Sequence, residues 1–314
     1  MSRSSTSSLA PGEYTINVRV VALLVLSVSM VSSASILISS SSSSPLVIVF
    51  WRTIVASAIM FSIGAVRGDH RRFVVRDKSR DLLWIVLIGV VLSFHFCTWF
   101  SSLLPPFRTT VAASVVLVNT SPIFTGLLST LFLGESLSRR SWTGVLIAMS
   151  GSVMLVWNDL VYYGMGALSG DILALIGGIF LAIYFTGGRR IAVRAPITVY
   201  TGTVYLSAAV TTLLLCVLVG EDVVKSVLDP REALIFIALA LFPTVLGHSV
   251  NNYLLTLVPA YVVSSAVLGE PVGATILAII FLGQVPAPET VVSFLVILAG
   301  IALVLSGQRE QSTP

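Results

Sequence analysis

Three polar side chains stand in a part of the sequence that is otherwise apolar. Glu270 follows Pro259 by the same interval at which His248 precedes it, which is about three turns of a helix. If antiparallel helices flank Pro259, a rise of about 1.5 Å per residue puts both side chains about 16 Å from the connection, or half of a hydrocarbon core of about 30 Å. Asn252 follows His248 by about one turn and shares its helical face. A carboxylate there can exchange a proton or hold a cationic group of a solute; a buried pair that only ties two helices is the competing interpretation.

A weaker set of candidates lies earlier in the chain. His95 precedes Pro106 by the same interval, so its depth is similar, and Trp99 is one turn further on. His95 is either a hydrogen-bonded core residue or a solute contact, and Trp99 is either a packing residue or a stacking surface. The other candidates for a solute pocket are neutral: Asn119, Ser121 and Tyr184. One acid among neutral polar and aromatic groups suits a small polar or amphipathic solute.

Arg52 is a charged residue inside a different apolar segment. It lies about seven residues from the nearer end of that segment, or about 10 Å deep. The guanidinium is a candidate contact for an anionic group of a solute. A structural role, in which it snorkels outward or bonds helix carbonyls, is the interpretation that we favour.

The composition determines which elements must position these residues. Of the 314 residues, 56% are hydrophobic and only 10% are charged, and the mean hydropathy is +0.99. Soluble domains carry about 25% charged residues, so the sequence excludes a soluble enzyme and predicts an all-α polytopic membrane protein in the lipid bilayer. Ten apolar runs meet the length of about 20 residues that a span needs. They cover residues 18–39, 45–66, 82–104, 109–133, 141–157, 170–186, 197–219, 233–257, 260–282 and 290–306.

The positive charges predict the orientation of these spans. With the N-terminus in the cytoplasm, 14 of the 18 Lys and Arg residues fall in cytoplasmic segments, as the positive-inside rule requires. The sequence therefore predicts a multi-pass protein of the cytoplasmic membrane with both termini in the cytoplasm. Residues 1–17 are predicted to be a flexible Ser-rich tail and residues 307–314 a second tail. The Lys and Arg residues of the cytoplasmic segments then account for the net charge of +4, and we expect no nucleic-acid partner.

The chain contains an internal repeat. Pro122 recurs as Pro271, Gly134 as Gly283 and Gly151 as Gly300, and each second number is the first plus 149. The repeat predicts two five-span halves, residues 18–157 and 168–306. Since five is odd, the second half inserts upside down, which gives the inverted repeat common among secondary transporters, with the solute site near the midplane between the halves. In this register Ser121 corresponds to Glu270.

These motifs resemble the drug/metabolite transporter superfamily, specifically its ten-helix EamA-type transporters. The resemblance rests on the following motifs: Phe50-Trp51-Arg52, Thr120-Ser121-Pro122, Leu133-Gly134-Glu135, Gly170-Asp171, Gly247-His248 with Asn252, and Leu268-Gly269-Glu270-Pro271. It covers nearly the whole chain after about residue 17. Two features depart from the family pattern: Gln284 replaces a glutamate, and the run from Ser39 to Ser44 is unusual for a first outer loop. The resemblance implies a solute carrier that works by alternating access.

The sequence therefore favours a secondary transporter of a small organic solute, such as an amino acid or another metabolite, with proton linkage through Glu270. A facilitator without proton coupling and a non-transporting membrane scaffold or sensor on the same fold are the alternatives. The sequence contains no catalytic motif of the kinds that mark hydrolases or nucleotide-binding enzymes, so we expect no enzyme, no cofactor and no metal site. Cys97 and Cys216 lie in apolar runs as core residues. Ten spans suffice for a monomer, and a homodimer fits the sequence equally well.

Overall fold

The protein is an all-helical membrane protein built from two inverted halves. The computed structural model describes residues 16–74, 79–107, 111–135, 137–163, 168–192, 194–282 and 288–311. Most of the N-terminal tail, Gly283 and Gln284 lie outside the described residues. Within those ranges, seven segments are long and apolar enough to cross a membrane. They are Val18–Ser39, Pro45–Arg67, Ser79–Leu103, Leu168–Ala192, Ile197–Val219, Pro230–Leu254 and Ala260–Phe281, which are spans 1, 2, 3, 6, 7, 8 and 9 in the order of the chain.

Spans 5 and 10 are long helices whose bounds reach beyond the apolar runs. Span 5 is the helix Arg139–Tyr163, and span 10 is the helix Pro288–Gln311. Span 10 therefore continues into the predicted C-terminal tail. Span 1 consists of the helices Val18–Val31 and Ala34–Ser39, and two short helices, Asp69–Val74 and Val223–Val227, lie in connections.

Spans 4 and 9 are each broken into two helices at equivalent places. Span 4 consists of Val111–Val118 and Ser121–Leu133, and span 9 of Ala260–Val267 and Glu270–Leu282. Each bound in span 9 is its counterpart in span 4 plus 149. The cause is a proline at the second position of each later helix, Pro122 and Pro271, which has no N–H to continue the preceding helix but is tolerated in a first turn. The predicted ten-span fold and the repeat register hold, and each of these two spans contains a break.

Span 8 has an irregular middle that span 3 does not share. It begins as the α-helix Pro230–Leu239, continues as a π-helix over Ala240–His248, and ends as the α-helix Ser249–Leu254. Pro243 lies inside the π-helix and removes one N–H donor. The Thr244 hydroxyl donates to the Leu239 carbonyl over 2.7 Å, which satisfies an acceptor there. Such π segments are frequent at functional sites.

The halves join around a centre made by spans 1, 3, 4, 6, 8 and 9, while spans 2 and 7 and spans 5 and 10 pack as two outer pairs. Spans 5 and 10 approach closely because glycines face each other. A Cβ atom added to Gly300 would lie 2.6 Å from the Gly144 carbonyl oxygen and 2.7 Å from the Ala148 Cα atom. Small residues at such crossings compensate for the missing hydrophobic drive in lipid.

Candidate functional site

A small cavity lies where the central spans of both halves meet. Its volume of about 20 Å³ has room for about one water molecule. Spans 1, 3 and 4 line it from the first half, and spans 6, 8 and 9 line it from the second. Most of the lining is apolar, and the polar and indole side chains among it are His95, Trp99, His248, Asn251 and Glu270. The structure thus brings four of the sequence candidates together on one surface.

Glu270 is the acidic residue of this cavity, and its hydrogen bonding is incomplete. It opens the helix Glu270–Leu282, where the free backbone N–H groups favour a negative charge. The side chain is 4% exposed. Its Oε2 accepts a long hydrogen bond of 3.5 Å from the Asn119 amide, and its Oε1 has no partner among the described residues. Buried carboxylates normally have partners for both oxygens, so this one can still accept a proton or an N–H donor.

Two imidazole rings and an indole ring line the same cavity. The His248 and His95 ring centroids are 6.4 Å apart, and the Trp99 ring stacks on His95 at 5.9 Å. The His95 Nδ1–H donates to the Gly177 carbonyl over 2.9 Å, which leaves its Nε2 as an acceptor. His248 Nδ1 and Trp99 Nε1 have no partner in the described part of the chain. The cavity therefore offers an acid, two imidazoles and an indole to a bound molecule.

Three other candidates lie next to this cavity without lining it. The Asn252 amide donates to the Tyr184 hydroxyl and, over 2.8 Å, to the His248 carbonyl. The Tyr184 ring lies against the His248 ring, with 6.1 Å between centroids. The Ser121 hydroxyl is 3.2 Å from the Ser264 hydroxyl, so it connects spans 4 and 9. These contacts position the cavity residues, and a direct role in binding a solute stays a prediction.

Arg52 lies behind the cavity and is fully buried. Its Nε donates to the Thr244 hydroxyl over 2.9 Å. The guanidinium carbon lies 4.1 Å from the Phe96 ring centroid and 5.3 Å from that of Phe100, distances at which a cation is attracted to an aromatic face. These contacts tie span 2 to the π-helix of span 8 and to span 3. They favour the structural role, which stays a prediction.

Asn251 also lines the cavity and was not among the residues predicted from the sequence. Its side-chain nitrogen and oxygen are both buried, and neither has a partner among the described residues. Asn251 follows His248 by three residues, and a spacing of three also places two residues on one helical face. That spacing is the sequence feature from which Asn251 could have been predicted.

A hydrogen-bonded clasp closes one end of the bundle. The Glu232 carboxylate at the start of span 8 accepts bonds from the hydroxyls of Ser41, Ser42 and Ser43 at 2.5, 3.1 and 2.6 Å. The Ser42 backbone N–H donates to the same carboxylate over 2.9 Å. The unusual serine run therefore holds the connection between spans 1 and 2 on span 8.

An ion pair closes the opposite end. The Arg189 Nε donates to Glu135 Oε1 over 2.8 Å, and Arg189 also donates to the Leu255 carbonyl. The other Glu135 oxygen accepts from the Ala260 backbone N–H over 3.2 Å. The end of span 4 is thereby tied to span 6 and to the connection between spans 8 and 9. Since both ends are tied, the small cavity lies between two closures.

Comparison with known proteins relates this chain to membrane transporters. The EamA-like transporter family matches residues 19–157 and again residues 168–306. The uncharacterized transporter YdfC of Bacillus subtilis is 25% identical over 232 residues, which is 71% of each chain. A probable terminal-alkyne amino-acid exporter of Streptantibioticus cattleyicolor is 26% identical over 253 residues, 76% of this chain and 80% of that one. A protein of known crystal structure shares the fold with a TM-score of 0.71 at 20% identity, over 91% of this chain and 96% of the other.

Proposed function

We propose that this chain, which belongs to the EamA-like transporter family, carries an amino acid or a similar amine-bearing metabolite across the cytoplasmic membrane as a secondary transporter. The observation that carries the proposal is the incomplete hydrogen bonding of Glu270 in a cavity shared by both halves. The free Oε1 and the dipole of the helix that Glu270 opens are suited to a carboxylate that holds an ammonium group. The amino-acid exporter named among the relatives supports a solute of this class.

The two closures support transport by alternating access. A cavity for one water molecule cannot contain an amino acid, so the spans must separate before the solute enters. Breaking the Ser41–Ser43 clasp on Glu232 opens one end, and breaking the Glu135–Arg189 pair opens the other. Because each closure joins span 8 or its connections to other spans, a rocking motion of one half against the other opens one end while it closes the other.

Proton linkage follows if the proton and the ammonium group compete for Glu270. A protonated Glu270 has no charge with which to hold a cation, and a Glu270 that holds the solute has no free site for the proton. The transporter then exchanges protons for solute. In the orientation that the arginines predict, the Glu135 end faces the cytoplasm and the Glu232 end faces outward.

The test is solute exchange in vesicles that contain the purified full-length protein. Vesicles loaded with a panel of unlabelled amino acids, polyamines, sugars and nucleosides are assayed for uptake of labelled members at two pH values. We expect an amino acid to exchange in a pH-dependent way, and Glu270→Gln to abolish the exchange. Glu221→Gln, the same change in the connection after span 7, is the control and should leave exchange intact.

Three results would count against parts of this proposal. Exchange at a rate independent of pH would favour a facilitator. Exchange of sugars or nucleosides alone would overturn the solute class. No exchange by a folded wild-type protein would leave the scaffold or sensor alternative.

A further inference from the structure

A second hollow opens on the side of the bundle between spans 3, 4 and 6. Its volume of about 640 Å³ is more than thirty times that of the central cavity. Apolar side chains make most of its walls, including Leu87 and Val91 of span 3, Leu128 and Phe132 of span 4, and Ile183 of span 6. Phe132 is 65% exposed and Leu87 43% exposed, so the groove faces the surroundings of the bundle, which in a membrane are lipid chains.

One end of this groove is basic. Arg80 at the start of span 3, and Arg190 and Arg194 at the end of span 6, lie there together with Asp81. Arg194 forms an ion pair with Asp81 over 3.3 Å. Arg80 and Arg190 are exposed, and they give this end a net positive charge. Since they lie at the end of the bundle that also contains the Glu135–Arg189 pair, they are at the level of the lipid headgroups.

A buried hydroxyl lies between the basic end and the apolar walls. Thr186 lines the groove and is 6% exposed, and its Oγ1 has no partner among the described residues. A threonine inside a helix can donate to the carbonyl one turn earlier, and Thr186 does not, so its O–H is left to donate to a bound molecule. Thr186 precedes Arg190 by one helical turn and so lies about 6 Å deeper along the same face.

The groove is therefore layered along its length in the order of a phospholipid molecule. The arginines come first, together with Trp84, which is one turn from Arg80. The Thr186 hydroxyl lies deeper, since the adjacent Gly187 packs against Ile88, one turn beyond Trp84, and the walls of Val91 and Ile183 lie deeper still. Tryptophan favours this interfacial level, and basic pockets between spans bind anionic headgroups. A small anion would leave the apolar walls uncovered, and a neutral lipid would leave the arginines without an anion.

We propose that this groove binds one anionic phospholipid. Its phosphate lies between Arg80 and Arg190, its ester region accepts a hydrogen bond from Thr186, and an acyl chain covers the walls lined by Leu87, Leu128 and Ile183. The lipid would connect the ends of spans 3 and 6 beside the Glu135–Arg189 closure. This site is separate from the central cavity, and the inference does not depend on which solute is carried.

The test compares lipids by their effect on the melting temperature of the purified full-length protein in a neutral detergent. The additions are dioleoylphosphatidylglycerol, dioleoylphosphatidylcholine and inorganic phosphate. We expect phosphatidylglycerol to raise the melting temperature by about 3 °C or more above the other two, because a ligand that binds only the folded state stabilises it. Equal shifts with both lipids, or the full shift with phosphate alone, would overturn the proposal.

Variants locate the effect in the groove. Arg80→Gln with Arg190→Gln should remove the excess shift of phosphatidylglycerol, and Thr186→Val should reduce it. The control is Arg71→Gln with Arg139→Gln, two exposed arginines outside the groove, which should keep the shift. Leu128→Trp fills the apolar wall and leaves the arginines unchanged, so it should also lose the shift. A preference for phosphatidylglycerol that survives in both the double arginine variant and Leu128→Trp would contradict the assignment.

Discussion

The breaks in spans 4 and 9 have the same backbone and different chemistry. In both, two turn residues separate two helices, and a proline follows at the second position of the later helix. The first break reads Asn119-Thr120-Ser121-Pro122, and the second reads Leu268-Gly269-Glu270-Pro271. Ser121 connects to Ser264, whereas Glu270 faces the cavity. The duplicated fold thus supplies two equivalent helix starts, and the sequence places a charge at only one.

The two breaks also act on each other. Asn119, in the first break, donates to the carboxylate of Glu270 at the second break. The residue that corresponds to Asn119 in the second break is Leu268, whose apolar side chain cannot form the reciprocal hydrogen bond. The same asymmetry runs through spans 3 and 8, where Trp99 corresponds to His248 in the register of the repeat. One half therefore supplies neutral donors and flat rings, and the other supplies the acid and the second imidazole. This difference gives the site a polarity that a perfectly symmetric repeat would lack.

The largest effect is expected when the second break is made like the first. Glu270→Ser should lower exchange at least tenfold, because a hydrogen bond to a charged group is worth about 1.5–3 kcal/mol and about 1.4 kcal/mol is a factor of ten in affinity. Adding Ser121→Glu should not restore exchange, since Ser121 faces Ser264 rather than the cavity. Uptake in vesicles measures both. Recovery in the double variant would mean that the two breaks are interchangeable and that the difference between them has no role in function.

A smaller effect is expected from exchanging the corresponding rings. His248→Trp puts an indole beside a cavity that holds about one water molecule, so it should block exchange about tenfold, since overpacking a filled site costs about 1–3 kcal/mol. Trp99→His removes bulk at the equivalent place and should change the exchange rate by only a few-fold. The ratio of the two losses, measured in the same vesicles at equal protein content, is the informative quantity. If Trp99→His is the more harmful change, the first half contributes more to the site than the geometry indicates.

The sequence was sufficient to predict the spans and the repeat register, because an apolar run and a constant spacing between matching prolines and glycines depend on residue types alone. It also indicated Glu270, since a carboxylate within an apolar run is rare. The two breaks could not be predicted from the sequence, because a proline within an apolar run is compatible with a continuous span. Asn252 was predicted and Asn251 was not, because spacings of three and four residues from His248 both share a helical face and the sequence alone does not separate them. The clasp on Glu232 depends on a contact between segments far apart in the chain, which the serine run alone does not reveal.

The smallest effect should come from the hydroxyl bridge between spans 4 and 9. Ser264 stands where the first half has Val115, and its hydroxyl accepts from Thr125 over 3.1 Å and lies 3.2 Å from the Ser121 hydroxyl. Ser264→Ala should lower the free energy of unfolding by about 0.6 kcal/mol, the average worth of such a bond between membrane helices. Ser129→Ala is the matched control, because that buried hydroxyl has no partner within the described ranges. Equal changes in melting temperature for the two variants would show that the Ser264 hydroxyl does not stabilise the contact between spans 4 and 9, and that packing of the helices alone holds the two spans together.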